Sequence, residues 1–448
     1  MILADGARLN TSEVWMPNWT DAPYWHDGLA AATGLSSGLP SSVDVLVVGS
    51  GYTGLNAAIE TARGGRSTLV LDAGDPGHGC STRNGGQIST SIKPSYAKLA
   101  AKHGDQAARA IRDEGKTALD WIETRIANES IDCAFRRAGR FHAAHTPQHY
   151  EDLTRDAKTL ARDDGIEAQV VPRAEQRREL GTDRYFGGLL FPHHAVLDPG
   201  RYHRGLLETA MKAGAQVMGH CAVLAIEKRP DGYAVQTTQG TLKARDVAVA
   251  TNGYTGGATP WLQRRVIPIG SYIIATEPLP KALVDTLFPT GRIASDTCKV
   301  VYYYRTSPDR QRILFGGRVS AGETDTTISG PRLYADMCRI FPELSAYRIS
   351  HSWMGTVAYT FDELPHTGVH DGIHFAMGYC GAGVSMASYL GMRMGQKVLG
   401  LAQGRTAFDD LTFSTRPLYT GKPWFLPPMV AWYRWRDRKQ YERTKETA

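Results

Sequence analysis

The sequence predicts an α/β protein with two interleaved parts. One is a Rossmann-like, doubly wound parallel-sheet domain, discontinuous along the chain; the other is an α+β insert built on a mixed sheet. Three observations carry this expectation. An apolar, β-branched run, Val43 to Val48, leads straight into glycines at positions 49, 51 and 54, a helical stretch and a second apolar run ending at Asp72. A second strand, glycine turn and helix recurs more than 300 residues later, in IHFAMGYCGAGVSMASYLGMRMGQKVLG, residues 373–400. Between them, residues 266–320 are rich in β-formers, with VIPIGSYIIAT, CKVVYYYRT and RILFGGR as three clear β segments.

Taken in order, residues 1–41 form an arm carrying Trp15, Trp19 and Trp25 and ending in GLSSGLPSS; its indoles are expected to anchor it to the body. The strand at 43–48, the helix from Tyr52 to about Gly64 and the strand ending at Asp72 make a βαβ unit. A glycine-rich loop, Asp75 to Thr90, follows, and residues 96–128 read as helical. A helix at Tyr202–Lys212, a strand at Gln216–Glu227, a hairpin through Asp231-Gly232 and a strand at Val247–Ala250 return to the first domain. The expected division is therefore 42–98, 195–265 and 350–430 for the first domain, 99–194 and 266–349 for the insert, and 431–448 for a basic tail. At 448 residues the chain is long for one core, which supports two domains.

The first turn carries the chemistry. In G-x-G-x-x-G, Gly49 permits the tight bend, Gly51 lets a pyrophosphate approach the backbone, and Gly54 lets helix and strand pack closely. Unpaired N–H groups and the helix dipole then favour the phosphate charge. Asp72 is spaced to accept hydrogen bonds from an adenosine ribose. The second turn, Gly378 to Gly383, argues for FAD rather than a nicotinamide. FAD is long enough to reach both turns, and a helix start at its pyrimidine edge would stabilise the charge of a reduced flavin.

Bulk properties exclude several classes. Hydrophobic content of 42% and charged content of 21% fit a globular protein. No apolar run approaches the ~20 residues of a membrane span, and the N-terminus does not read as a secretory signal. Six cysteines, none closer than 40 residues to another, form no C-x-x-C motif and suit reduced thiols, so a cytoplasmic location is expected. The net charge of +6 is too mild to imply nucleic acid. His193-His194 has no acidic cluster to complete a metal site, and none is expected. The aromatic, basic tail is expected to end a packed helix rather than lie on an anionic membrane surface.

The segments VVGSGYTGL, GHGCSTRNGGQ, LDPGRYHRGL, ILFGGR, WMGTVAYTFDELPHTG and GYCGAGV occur in the order of the D-amino acid oxidase superfamily of FAD oxidoreductases. The resemblance extends over roughly residues 20–436 and is strongest to the γ-glutamylputrescine oxidase branch, with monomeric sarcosine oxidase and glycine oxidase further off. It implies FAD contacts at Gly49, Gly51, Tyr52, Thr53, Gly54, Asp72 and Ala73, and at Ser81, Thr82, Arg83, Asn84, Gly85, Gly86 and Gln87. Val223, Ala250, Thr251, Asn252, Gly378, Gly381, Ala382, Gly383 and Val384 complete the set. Sarcosine oxidase bonds its flavin to a cysteine in the segment matching Trp353–Thr360, which holds none here, so the resemblance implies non-covalent FAD. That family also places a lysine on the strand matching ILFGGR, which has none here; molecular oxygen and another electron acceptor both stay open.

The resemblance further implies oxidation of the C–N bond of an amine or amino acid, such as a polyamine derivative or a secondary amine. A hydride passes to flavin N5 and the resulting imine hydrolyses. Tyr302 and Tyr304 share one strand face and are candidates to flank the substrate. Arg305 and Arg318 are candidates for a carboxylate, and Gln87 and Trp353 for the pocket wall. A dehydrogenase of the same fold, a flavoprotein subunit with a binding role, and a flavin hydroxylase or NAD(P)H-linked reductase are the rivals.

Overall fold

The computed structural model describes residues 11–318 and 324–446. The expected parallel sheet is present. Its core runs, by strand, Ile373–Met377, Gly240–Val249, Ser42–Val48, Thr68–Leu71 and Gln216–Met218, all parallel neighbours. The run Val45-Leu46-Val47 is wholly buried, as a central strand covered on both faces requires. Two antiparallel strands, Val223–Arg229 and Gly232–Thr237, extend this sheet through the Asp231-Gly232 hairpin. The expected strand from Gln216 to Glu227 is in fact two, parted at His220, whose φ of 51° turns the chain.

Helix Tyr52–Arg63 crosses helix Gly383–Val398 at glycine. A Cβ on Gly391 would stand 2.3 Å from the Thr53 carbonyl oxygen, and one on Gly395 2.7 Å from that of Ala57. The glycines of the last helix thus seat it directly on the first.

The second sheet has nine strands, in the order Trp15–Thr20, Ile349–Tyr359, Ile267–Thr276, Ile313–Gly317, Tyr303–Thr306, Ile293–Asp296, Arg140–Ala143, Gly188–Phe191 and Gln169–Val171. Three domain assignments are corrected by these contacts. Ile349–Tyr359, expected in the cofactor domain, pairs along its length with Ile267–Thr276 in the mixed sheet. The arm is partly a strand, Trp15–Thr20, on the edge of that sheet. The 96–128 stretch is two helices broken at Gly104, and its apolar stripe (Ala108, Ile111, Leu119, Ile122) joins the core of the cofactor domain, not of the insert. Of the tail expected at 431–448, residues 431–446 belong to a helix, Leu426–Glu446, and the last two lie outside the described residues. It docks on the insert through Asp437, whose carboxylate accepts from the Lys299 and Val300 N–H groups. No helix among the described residues is long and apolar enough to cross a membrane.

The insert carries one buried acid with a consequence for stability. Asp296 Oδ1 accepts from the N–H of Tyr302 and of Cys298, and Oδ2 accepts from the Tyr185 hydroxyl. Burial pushes its pKa up to about 7. An acid held above its unfolded value contributes stability that is complete at low pH and fades as pH rises toward 7. Asp296→Asn is therefore expected to lack this decline. Melting temperatures of both proteins between pH 4 and 7 check it: the wild type should lose ground to the variant as pH rises.

Candidate cofactor and substrate site

The two glycine turns lie at the carboxyl ends of parallel strands, where ligands of open α/β sheets bind. Gly49 follows Ser42–Val48, Ala250 follows Gly240–Val249, and Gly378 follows Ile373–Met377, with Val249 paired to both Val48 and Phe375. The turns are thus separated by one strand. Thr53 Oγ1 and the Tyr379 hydroxyl hydrogen-bond at 2.7 Å, joining them directly, and Gly378 N–H donates to Asn252 Oδ1 at 2.9 Å.

Each turn opens a helix without a capping side chain of its own. Gly51 and Ala382 are the N-caps of the two helices, and neither has a side-chain cap bond. In the first helix the Ser81 hydroxyl accepts from Tyr52 N–H. The next N–H groups, of Thr53 and Gly54, belong to the first turn, which has no intrahelical acceptors. Gly381 is exposed, with φ of 94°, and Ala382 and Gly383 are partly so. These are two helix starts suited to negative charge.

At the end of the second parallel strand, Asp72 Oδ2 accepts from Ser50 N–H and Oγ, at 2.8 and 2.5 Å, and Oδ1 from Gly74 N–H. Ala73 is exposed beside it. Cys221 N–H donates to the Asp72 carbonyl, which brings the half-buried Val223 to the same end. His203 Nε2 donates to the Ser50 carbonyl, and burial draws its pKa down to about 4, so it braces the turn as a neutral ring. Asp72→Ala removes charge-assisted acceptors worth ~1.5–3 kcal/mol, so FAD should bind about 10–100-fold more weakly. Titration of the apoprotein with FAD measures this.

The loop Ser81–Gln87 is held from several sides. Trp25 Nε1 donates to the Asn84 carbonyl at 2.7 Å, and Trp353 Nε1 to that of Arg83 at 3.0 Å. Arg83 donates to the His78 and Met354 carbonyls. Thr82 Oγ1 donates to Gly77 and contacts His26 Nε2, Gly86 N–H donates to Asn84 Oδ1, and Gln87 pairs with Val196. Thr251 and Thr255 bond to each other through their hydroxyls. Val384 is buried in the first turn of the last helix.

The substrate candidates are partly reassigned. Tyr302 and Tyr304 do share a face, but it is the core face. Tyr302 donates to Asp336 on helix Thr326–Ile340, and the fully buried Tyr304 donates to Tyr185 and stacks on Phe315. Both rings face the core of the insert. Tyr303, on the opposite face, meets the glycine loop: its ring covers Gly316, lies 3.2 Å from where a Cβ on Gly85 would stand, and its hydroxyl bonds Ser271. The pair Gly316-Gly317 across the ladder was the available signal, since missing side chains leave room for a ring.

Arg305 is also corrected. It is buried, donates to the Leu197 carbonyl at 2.7 Å and to its neighbour's carbonyl, and burial lowers its pKa to about 9. It braces the cofactor loop and does not present an open guanidinium to a carboxylate. Arg318 is half-buried and donates to the Gly270 carbonyl. Gln87 donates to the Tyr304 carbonyl at 3.4 Å, and Trp353 is fully buried behind the loop. His193 pairs with Glu167 at the surface while His194 stacks on Phe191, so the adjacent histidines face different surroundings. No group of three or more metal-ligating side chains occurs among the described residues.

Paired glycine turns on one sheet edge, with a mixed sheet across from them, define a dinucleotide-dependent oxidoreductase of the two-domain flavoprotein class. The chain belongs to the DAO family of FAD dependent oxidoreductases, whose model matches residues 44–397. It is 30% identical to the γ-glutamylputrescine oxidoreductase of Escherichia coli over 88% of this chain and 93% of that one. It is 29% identical to a probable oxidoreductase, OrdL, of Rhizobium meliloti over 95% and 99% respectively. Among solved structures, glycine oxidase from Geobacillus kaustophilus superposes with a TM-score of 0.70 at 20% identity, covering 84% of this chain and 99% of its own. The glycine cradles, and helix starts whose N-cap residues offer no capping side chain, fit FAD.

Proposed function

We propose that this protein oxidises the C–N bond of an amine or amino acid, with non-covalent FAD clasped between the two helix starts. The observation that carries the reading is the pair of helix N-termini at the carboxyl ends of the sheet, neither capped by its own N-cap residue and joined by the Thr53–Tyr379 hydrogen bond. Thr53 and Gly54 N–H groups would hold the pyrophosphate, Asp72 the ribose, and Gly383 and Val384 N–H groups the pyrimidine edge. Burial raises the Cys80 and Cys380 thiols to about 11, so both stay protonated and are poor nucleophiles toward a flavin.

When bound, FAD accepts the hydride equivalent from the carbon beside nitrogen. The chain's own part is positioning and exclusion of water. Tyr303 and Gly316 supply the pocket wall from the mixed sheet, and the Ser81–Gln87 loop, pinned by Trp25 and Trp353, supplies a rigid floor. An apolar wall disfavours the charged ammonium and so favours the neutral amine that loses hydride. A polyamine derivative is the first substrate to try, because the 30%-identical relative is named for one. The test is anaerobic mixing with polyamine derivatives, N-methylated glycines and D- and L-amino acids. Loss of the ~450 nm flavin absorbance with one class supports the reading, and repetition in air separates oxygen from other acceptors. Bleaching by NADPH and by no amine overturns it.

A further inference from the structure

Lys93 belongs to none of the expected contacts, yet it stands beside the second turn. It lies in the loop between Gln87–Ile88 and helix Tyr96–His103. The residue is exposed, yet burial still acts on its ammonium, so protein atoms stand close around the charged end. Its Nζ stands over the Tyr359 ring, 4.8 Å from the ring centre. The Tyr359 hydroxyl in turn lies 3.6 Å from where a Cβ on Gly381 would stand. Cys380 N–H donates to the Ala358 carbonyl at 3.0 Å, fixing the turn against the end of the strand that carries Tyr359.

From this placement we infer that Lys93, with Tyr359 orienting its ammonium, is the positive charge at the pyrimidine edge of the flavin, where the electron pair of the reduced ring resides. The inference rests on the flavin position proposed above. Other cations around the cleft are committed elsewhere: Arg83, Arg305 and Arg318 each donate to backbone carbonyls, and the Ile313–Gly317 strand has no lysine. Burial draws the Lys93 ammonium down, but Tyr359, Glu363 and Cys380 beside it leave its pKa raised overall, so it is charged at neutral pH. A cation here makes the ring easier to reduce, in concert with the helix start at Gly383.

Sulfite reads this charge without turnover. Its sulfur lone pair adds to N5 of oxidised flavin, and the displaced electron pair moves to the N1–C2=O edge, so the dissociation constant depends on positive charge there. In the FAD-loaded protein, Lys93→Met should weaken sulfite binding by at least about tenfold and lower the reduction potential, whereas Lys93→Arg should stay close to wild type. Unchanged sulfite affinity in Lys93→Met overturns the inference. So does a rise in KM confined to carboxylate-bearing substrates with sulfite affinity unaltered, which would make Lys93 a substrate anchor. Wild-type protein that binds no FAD sinks the underlying reading as well, a result distinct from either.

Discussion

Gly54→Ala is expected to cost about 10- to 100-fold in FAD affinity. The added Cβ would stand 1.9 Å from the Gly49 carbonyl oxygen and 3.1 Å from Val47 Cγ1. The Gly49 carbonyl cannot yield, because Gly49 is itself wedged with φ of 102° against the Ala250 carbonyl, 3.0 Å from its own missing Cβ. Relief must come from the helix start moving off the strand, which carries away the Thr53 and Gly54 N–H groups. Overpacking of this kind costs ~1–3 kcal/mol and at times more, and ~1.4 kcal/mol is tenfold in binding. FAD titration of the apoprotein measures it, with Gly38→Ala as the control, since a Cβ there meets nothing within 4 Å. Undiminished affinity in a folded Gly54→Ala protein contradicts the placement of the pyrophosphate at this turn.

Trp353→Ala should remove ~3–5 kcal/mol of folding stability and loosen the cofactor loop at once. The indole is fully buried, packs with Trp25, Ile273, Ala275 and Leu314, and donates to the Arg83 carbonyl. Its loss leaves both a cavity and an unpaired acceptor. Trp353→Phe separates the two, keeping most of the packing while leaving the carbonyl unpaired at ~1–3 kcal/mol. Denaturant unfolding gives the stability change. Faster FAD release from both variants, larger for alanine, is the expected functional sign.

The glycine turns were legible because their signals are local. Strand, bend and helix are contiguous in Val43–Asp72 and again in Ile373–Gly400, and each glycine has a job within a few residues. What was lost depended on distant partners. The alternation of Tyr302, Tyr303 and Tyr304 was readable, but which face meets the cleft was not. That is decided by helix Thr326–Ile340, whose Asp336 takes the Tyr302 hydroxyl. The stripe of Asp105–Asn128 is plainly amphipathic, yet nothing local says which of two cores it joins. The sheet that takes the Trp353 strand is not readable locally, because a strand's pairing partner is set by the whole topology. Trp25 reads from sequence only as a general anchor, while its particular partner, the Asn84 carbonyl, is 59 residues away. Lys93 carries no motif and is found only by what surrounds it.

A crystal structure of the FAD-loaded protein tests the central claim most directly. The pyrophosphate should lie within about 3 Å of the Thr53 and Gly54 N–H groups, and the pyrimidine edge of the same molecule within about 3 Å of the Gly383 or Val384 N–H. Density for the ring system away from the Gly381–Val384 turn, with that helix start open to bulk water, would contradict it.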